Sequence, residues 1–239
     1  MNKLGIAQTI KIALISAFVL TEGVLFALFL VEDFGEAYVG MNVWLKYSTV
    51  LLAFLFSIVH FVYWGTEGRN LFDAMLLSLG LALTLVSDLF LLVRGDHYEV
   101  ALVTFTGAQL CYFARICRTK LWLIISIALR VALPIVAIAV LASMGEANAL
   151  FVLVAIYFVQ LVVNFAESVA AAVMAKDMAE RAKYIVLSVG FALFIGCDIC
   201  VGLTNLYDGM ANELIWLFYT PSQVLIALSH RRIYETETD

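Results

Sequence analysis

The chain has 239 residues, 64% of them hydrophobic, and a formal charge of −5 from 14 basic and 19 acidic side chains. A mean hydropathy of +1.01 excludes an ordinary soluble domain, where about 45–50% of residues are apolar. The lack of a basic stripe excludes a nucleic-acid partner. What remains is a polytopic membrane protein, and two prolines with no Ser/Pro-rich linker indicate a single domain over 1–239.

Eight apolar segments reach the roughly 20 residues that crossing a bilayer requires. They are 8–31, 42–64, 71–94, 98–117, 121–143, 149–174, 184–206 and 212–230. Short polar connections make consecutive segments antiparallel. The predicted fold is therefore all-α, an integral membrane bundle of eight transmembrane helices. The start, Met1 to Lys11, resembles the charged region of a signal peptide. The apolar run behind it is too long, and no small-residue cleavage site follows, so it reads as an uncleaved first span.

Lysine and arginine in the loops set the orientation. One side holds Lys3, Lys11, Arg69, Arg115, Arg118, Lys120, Lys176, Arg181, Lys183, Arg231 and Arg232, and the other only Arg94. Lys46 and Arg130 lie within spans. Both termini are therefore expected in the cytoplasm, with the protein in the plasma (inner) membrane. The acidic loops at Glu32–Glu36, Asp96–Glu99 and Asp208–Glu213 then fall outside.

Helix three carries a lone carboxylate, Asp88, inside the apolar run Ser78–Leu92. A charge at membrane depth costs about 3 kcal/mol or more, so it is rarely there without a role. Helix seven repeats the pattern. Ser78, Gly80, Ala82, Leu83 and Asp88 match Ser188, Gly190, Ala192, Leu193 and Asp198 at a constant offset of 110 residues. The following helices match more weakly, Gln109 and Arg118 with Gln223 and Arg232, at an offset of 114. Helices 3–4 and 7–8 thus suggest a parallel internal repeat about an axis along the membrane normal. Such a repeat holds Asp88 and Asp198 at similar depth, as two carboxylates of one site.

Other polar side chains lie at comparable depth. Lys46 sits one turn into helix two. Gln109 and Tyr112 share a face of helix four, as do Tyr219 and Gln223 on helix eight. Pro221 removes a backbone donor in mid-span, and freed backbone at depth needs protein or a wet cavity. A polar chamber lined by Lys46, Asp88, Asp198, Gln109, Tyr219 and Gln223 accounts for these placements together, and Glu22 is a further candidate lining. Arg130 and the Gln160, Asn164, Glu167 stripe read as interhelical hydrogen bonds and charge pairs. His60 and His97 lack companions at ligand spacing and read as structural. Cys197-x-x-Cys200 has no second pair or nearby histidine, so the four cysteines read as small apolar filler and no metal site is expected.

These residues carry a family resemblance. Leu45-Lys46-Tyr47-Ser48-Thr49, Ser87-Asp88 with Leu92, Gly190 with Phe194 and Asp198, and Tyr219-Thr220-Pro221-Ser222-Gln223 with Ile226 follow one another in the order of the motifs of the YhhN-like membrane family. That family includes the lysoplasmalogenases. Where it commonly has a histidine on helix four, this chain has Gln109, and its Lys-Pro pair is here Lys46-Tyr47. The resemblance implies hydrolysis of the vinyl-ether bond of a lysoplasmalogen to a fatty aldehyde and a glycerophospho head group. Asp88 and Asp198 would be catalytic. Lys46, Gln109, Tyr112, Tyr219 and Gln223 would bind substrate.

Paired carboxylates suit that chemistry, because one can donate a proton while the other stays ionised beside a developing cation. No cofactor is required. The expected partners are a lysophospholipid or similar amphiphile and the bilayer itself. The competing class is a small-molecule or lipid transporter or binding protein without chemistry, since buried acids and a proline break also suit passage. A structural or sensor protein is the third.

Overall fold

The computed structural model describes residues 3–34, 42–64, 68–117, 119–206, 212–230 and 233. Arg118, Arg231, Arg232, Glu36 and Asp208, used above for orientation, lie outside them. Eight helices form among the described residues: α1 Lys3–Phe34, α2 Asn42–Trp64, α3 Gly68–Asp88, α4 Tyr98–Ile116, α5 Lys120–Ser143, α6 Ala149–Met174, α7 Met178–Leu206 and α8 Asn212–Ala227. A π-helical stretch, Leu89–Arg94, continues α3.

Local chemistry sets several of these boundaries. The first free amides of a helix need acceptors. Thr119 Oγ1 takes the amide of Trp122 at 3.2 Å, and Asn148 Oδ1 that of Phe151 at 2.9 Å. The Asp177 carboxylate takes the amides of Ala179 and Glu180. That last cap starts α7 at Met178, six residues before the apolar run at 184. The π stretch ends at Gly95, whose φ of 64° suits a residue without a Cβ.

Six helices are long and apolar enough to cross a membrane: α1, α2, α3 with its π extension, α5, α6 and α7. Among the described residues α8 offers only the shorter apolar run Leu214–Ala227. The 19 residues of α4 include Glu99, Gln109 and Arg115. Length and composition thus pick out six of the eight helices as candidate spans among the described residues. Gln109 and Arg115 of α4 and Thr220, Ser222 and Gln223 of α8 are buried against protein.

The packing is a closed ring. Neighbours run α2, α3, α4, α6, α7, α8 and back to α2, with α1 outside against α2 and α8, and α5 outside against α6. Inside lie Val50, Ala53, Leu77, Leu81, Ala108, Ile116, Leu161, Leu187, Phe191 and Ile226, all essentially inaccessible. Helix association in lipid depends on close packing and interhelical hydrogen bonds, and two glycines permit it here. A Cβ on Gly80 would meet Tyr112 Cε1 of α4 at 2.5 Å, and one on Gly190 would meet Ile226 Cγ1 of α8 at 3.1 Å.

Two buried polar clusters fasten the ring. At the end where α3 and α7 begin and α4 and α8 finish, the Asp73 carboxylate accepts from Arg115 Nε at 3.1 Å and from Lys183 Nζ at 2.7 Å. His230 Nε2 lies 3.5 Å from its other oxygen, and the His230 ring is 4.1 Å from that of His60. Arg115 also donates to Ser229 Oγ and, at 2.6 Å, to the Ser229 carbonyl. Three helices, α3, α4 and α7, thus meet at one carboxylate, with His230 beyond the end of α8 beside it and His60 of α2 packed on His230. The second cluster ties α5 to α6. Arg130 donates to Ser126, Gln160, Asn164 and, at 2.6 Å, Glu167, while its guanidinium lies 4.3 Å from the centre of the Phe113 ring. These are the hydrogen bonds and charge pair expected of that stripe.

Candidate active site

The opposite end of the ring carries the aspartates. Asp88 is the last α-helical residue of α3, and the π turns begin at Leu89. A π insertion widens the turn and re-aims the side chains around it, and such insertions concentrate at functional sites. Asp88 is buried and accepts a hydrogen bond from the Tyr219 hydroxyl of α8 at 2.6 Å. Asp198, on α7, is half-buried and accepts one from the Tyr157 hydroxyl of α6 at 2.8 Å. Each carboxylate therefore has its own tyrosine, supplied by a different helix.

Aromatic rings join the two pairs. Phe194, one turn before Asp198, lies edge-on to Tyr219 with centroids 5.3 Å apart and to Tyr157 at 6.5 Å. Phe105 of α4 closes the other side, 5.4 Å from Tyr157 and 5.8 Å from Phe194. The two tyrosine–aspartate pairs are thus joined by aromatic contacts, and Asp198 is the more accessible of the two carboxylates.

Lys46 joins through the same chain of rings. Trp216 packs edge-on to Tyr219 at 5.2 Å, and Lys46 Nζ sits 5.5 Å from the Trp216 centroid and 5.7 Å from that of Phe29. Its ammonium donates to Asp33 at 2.8 Å, and Asn42 donates to the same oxygen. The lysine is held by a carboxylate and two aromatic faces rather than reaching out to the interface.

Below the aspartates lies a tier of buried polar groups. Thr84 is one turn before Asp88 on α3, and Gln223 one turn after Tyr219 on α8. Both amide atoms of Gln223 have no hydrogen-bond partner among the described residues, and the Thr84 and Tyr112 hydroxyls have none beyond each other. Tyr112 is fully buried with its hydroxyl toward Thr84 and its ring over Gly80. Gln109 is turned differently. Its backbone and side-chain oxygens both accept from Asn164 Nδ2 at 2.8 Å, which links it to the Arg130 cluster. Of the seven residues singled out in the sequence, Asp88 and Tyr219 touch directly, Asp198 is linked to them through Tyr157 and Phe194, and Lys46 through Trp216. Tyr112 and Gln223 occupy the tier beneath, and Gln109 faces α6.

A sequence model of the YhhN family matches residues 41–230. The chain belongs to the YhhN family. No curated protein and no solved structure matches it. The YhhN match covers α2 to α8 and so contains both aspartates, both tyrosines and Lys46. Asp33 and Glu22, on α1, fall outside the residues it covers.

Sequence reading missed three members of the site: Tyr157, Asp33 and Trp216. A signal for Tyr157 existed. It stands 110 residues after Tyr47, the offset that relates the aspartates. Asp33 lies in an acidic stretch that reads as a solvated loop, and Trp216 reads as an interfacial aromatic.

Proposed function

We propose that this chain is a membrane hydrolase of lysoplasmalogenase type, cleaving the vinyl-ether bond of a lysophospholipid with Asp88 and Asp198. The observation that carries the reading is the pair of tyrosine-held carboxylates whose tyrosines pack on the same Phe194 ring. Family membership supports it, because the resemblance implies that chemistry.

The reaction then runs as follows. One aspartate, in its acid form, gives its proton to the outer carbon of the alkenyl ether, and the ether oxygen shares the resulting cation. The other, ionised, stabilises that oxocarbenium centre and takes a proton from the attacking water. The hemiacetal collapses: the aspartate that took the water's proton gives it to the glycerol oxygen as the carbon–oxygen bond breaks, and the hemiacetal hydroxyl returns a proton to the first aspartate. The products are a fatty aldehyde and a glycerophospho head group bearing a free hydroxyl. The tyrosines fix the carboxylates, and the aromatic walls exclude bulk water while offering π faces to the cation. Buried polar groups in folded proteins are satisfied by protein or by ordered water. The Thr84, Tyr112 and Gln223 tier is the place for the water that reacts. Lys46 suits the lipid phosphate.

The same proposal has all eight helices crossing the plasma membrane, with both termini cytoplasmic and the aspartates in the outer half. It also takes α3–α4 and α7–α8 as a duplication. Lys183 meets Asp73 and Arg115 meets Ser229, pairs separated by the 110 and 114 residues that relate the twin helices. Equivalent residues touch one another only near a two-fold axis. The competing transporter reading requires a path to the far end, where Asp73, Arg115, Lys183, His230 and His60 fill the ring.

The test uses the purified protein in nanodiscs with vinyl-ether and ester lysolipids and mass spectrometry of the products. Aldehyde should appear only from vinyl-ether substrates and vanish in Asp88→Asn and Asp198→Asn. Wild-type aldehyde release from either variant refutes the mechanism.

A further inference from the structure

Beside the aspartate end of the ring lies a polar knot with two unused acceptors. Asp33 stands in the last turn of α1, and Asn42 is the first residue of α2. One Asp33 oxygen, Oδ1, takes both Lys46 Nζ, at 2.8 Å, and Asn42 Nδ2. The other, Oδ2, accepts nothing among the described residues, and neither does Asn42 Oδ1. Because the two side chains bond each other, their free oxygens belong to adjoining groups. Shielded acceptors without donors are uncommon in folded proteins. A carboxylate in the last turn of a helix also opposes the helix dipole, which favours a cation at that place.

A ligand that completes the knot brings donors to the two free oxygens and an acceptor to Lys46, whose ammonium has three donors and gives one to Asp33. Lys46 and Asp33 carry opposite charges, so the complementary head group has a negative and a positive centre of its own. A purely anionic head group meets the Asp33 carboxylate, and a lone cation meets Lys46. A quaternary ammonium has no N–H to give and is held by aromatic faces instead. The two faces here, Phe29 and Trp216, already attend Lys46 Nζ, at 5.7 and 5.5 Å. A primary ammonium two carbons from a phosphate satisfies every group at once. The Asp33 side chain is 12% exposed and Asn42 is half-buried. Terminal carboxylate and amide torsions are soft, so either free oxygen can turn toward an entering head group.

We propose that Asp33, Asn42 and Lys46 form a head-group subsite that selects phosphoethanolamine over phosphocholine. The primary ammonium donates to Asp33 Oδ2 and Asn42 Oδ1, and the phosphate accepts from Lys46. The subsite rests on the lysophospholipid reading for its ligand and adds the head group to the bond that is cleaved. Trp216 links the two places, since its ring packs on Tyr219, which holds Asp88. Asp33 lies on α1, before the residues that the YhhN model matches.

Binding is measured on the full chain in nanodiscs, as displacement of a radiolabelled alkyl lysophosphoethanolamine. The competitors are the unlabelled lipid and its N-methyl, N,N-dimethyl and choline counterparts. All four carry a saturated ether, so none has a vinyl ether to hydrolyse. The N-methyl lipid keeps two donors for two acceptors and should bind like the parent. The dimethyl lipid, with one donor, should bind about tenfold more weakly and the choline lipid about a hundredfold, at one lost hydrogen bond per step. Asp33→Asn should remove most of that difference and leave the choline lipid's affinity unchanged. Asn42→Leu should weaken the ethanolamine lipid about tenfold and the choline lipid not at all, which keeps the test decisive if Asp33→Asn does not fold. Equal affinity for the four head groups, the result if water alone serves the free oxygens, overturns the proposal. So does a preference that both variants preserve. A protein that shows the preference but releases no aldehyde from a vinyl-ether lipid refutes the hydrolase reading and leaves the subsite standing, and aldehyde release without the preference does the reverse.

Discussion

Replacing each site tyrosine by phenylalanine separates the hydrogen bond from the ring that carries it. The Tyr219 ring packs against Trp216 and Phe194, and the Tyr157 ring against Phe105 and Phe194. Tyr219→Phe and Tyr157→Phe keep those contacts and remove only the donors to Asp88 and Asp198, at 2.6 and 2.8 Å. A hydrogen bond to a charged group contributes about 1.5–3 kcal/mol, so each variant should lose about 10- to 100-fold in turnover. The larger loss belongs to Tyr219→Phe, because Asp88 is buried while Asp198 is partly accessible to replacement donors. Aldehyde release from a vinyl-ether lysolipid in nanodiscs gives the rate, and thermal unfolding checks the fold. Wild-type rates in both variants would mean that the tyrosines serve packing alone.

Three further outcomes follow from neighbouring contacts. Asp73→Asn leaves Arg115 and Lys183 buried without their shared carboxylate; removal of one partner from a buried pair costs about 3–5 kcal/mol, so apparent melting should fall by about 10 °C. Gly80→Ala drives a Cβ into the Tyr112 ring, which should cost about 1–3 kcal/mol of stability and lower turnover through the displaced hydroxyl. Lys46→Met should raise KM for a phosphate-bearing lysolipid more than it lowers kcat, since the lysine stands a tryptophan away from the tyrosine–aspartate pair.

Much of the architecture is visible in the sequence, because a bilayer permits few alternatives. Apolar runs bounded by Asn42, Thr119 and Asn148 delimit helices that agree with the structure to within a residue or two. The start of α7 is less visible, since Glu180, Arg181 and Lys183 make its first turns polar and only the Asp177 cap discloses them. The aspartates stand out as lone charges in apolar segments. Their partners do not, because a tyrosine in a membrane helix is unremarkable until its hydroxyl finds a carboxylate 41 or 131 residues away. Gln109 shows the limit of facial reasoning. It shares a helix face with Tyr112, yet Asn164 draws its side chain toward α6.

The proposed duplication gives a reason for the two ends of the ring to differ. At one end the equivalent positions stayed alike, as Asp88 and Asp198, and each is held by a tyrosine from another helix, Asp198 by its ring neighbour α6 and Asp88 by α8 from beyond α2. In the proposed mechanism one of these carboxylates carries a proton while the other is ionised, the division of roles acid catalysis needs. At the other end the equivalent positions became opposite, Asp73 and Lys183, and now neutralise each other at 2.7 Å. Arg115 and His230 add further donors to that carboxylate. A like pair is reactive and a complementary pair is inert. The same axis can therefore hold a catalytic couple at the mouth and a seal at the base. Aldehyde release that survives Asp73→Asn, in protein that still folds, would support this division of roles, whereas loss of chemistry without loss of fold would place the base inside the reaction.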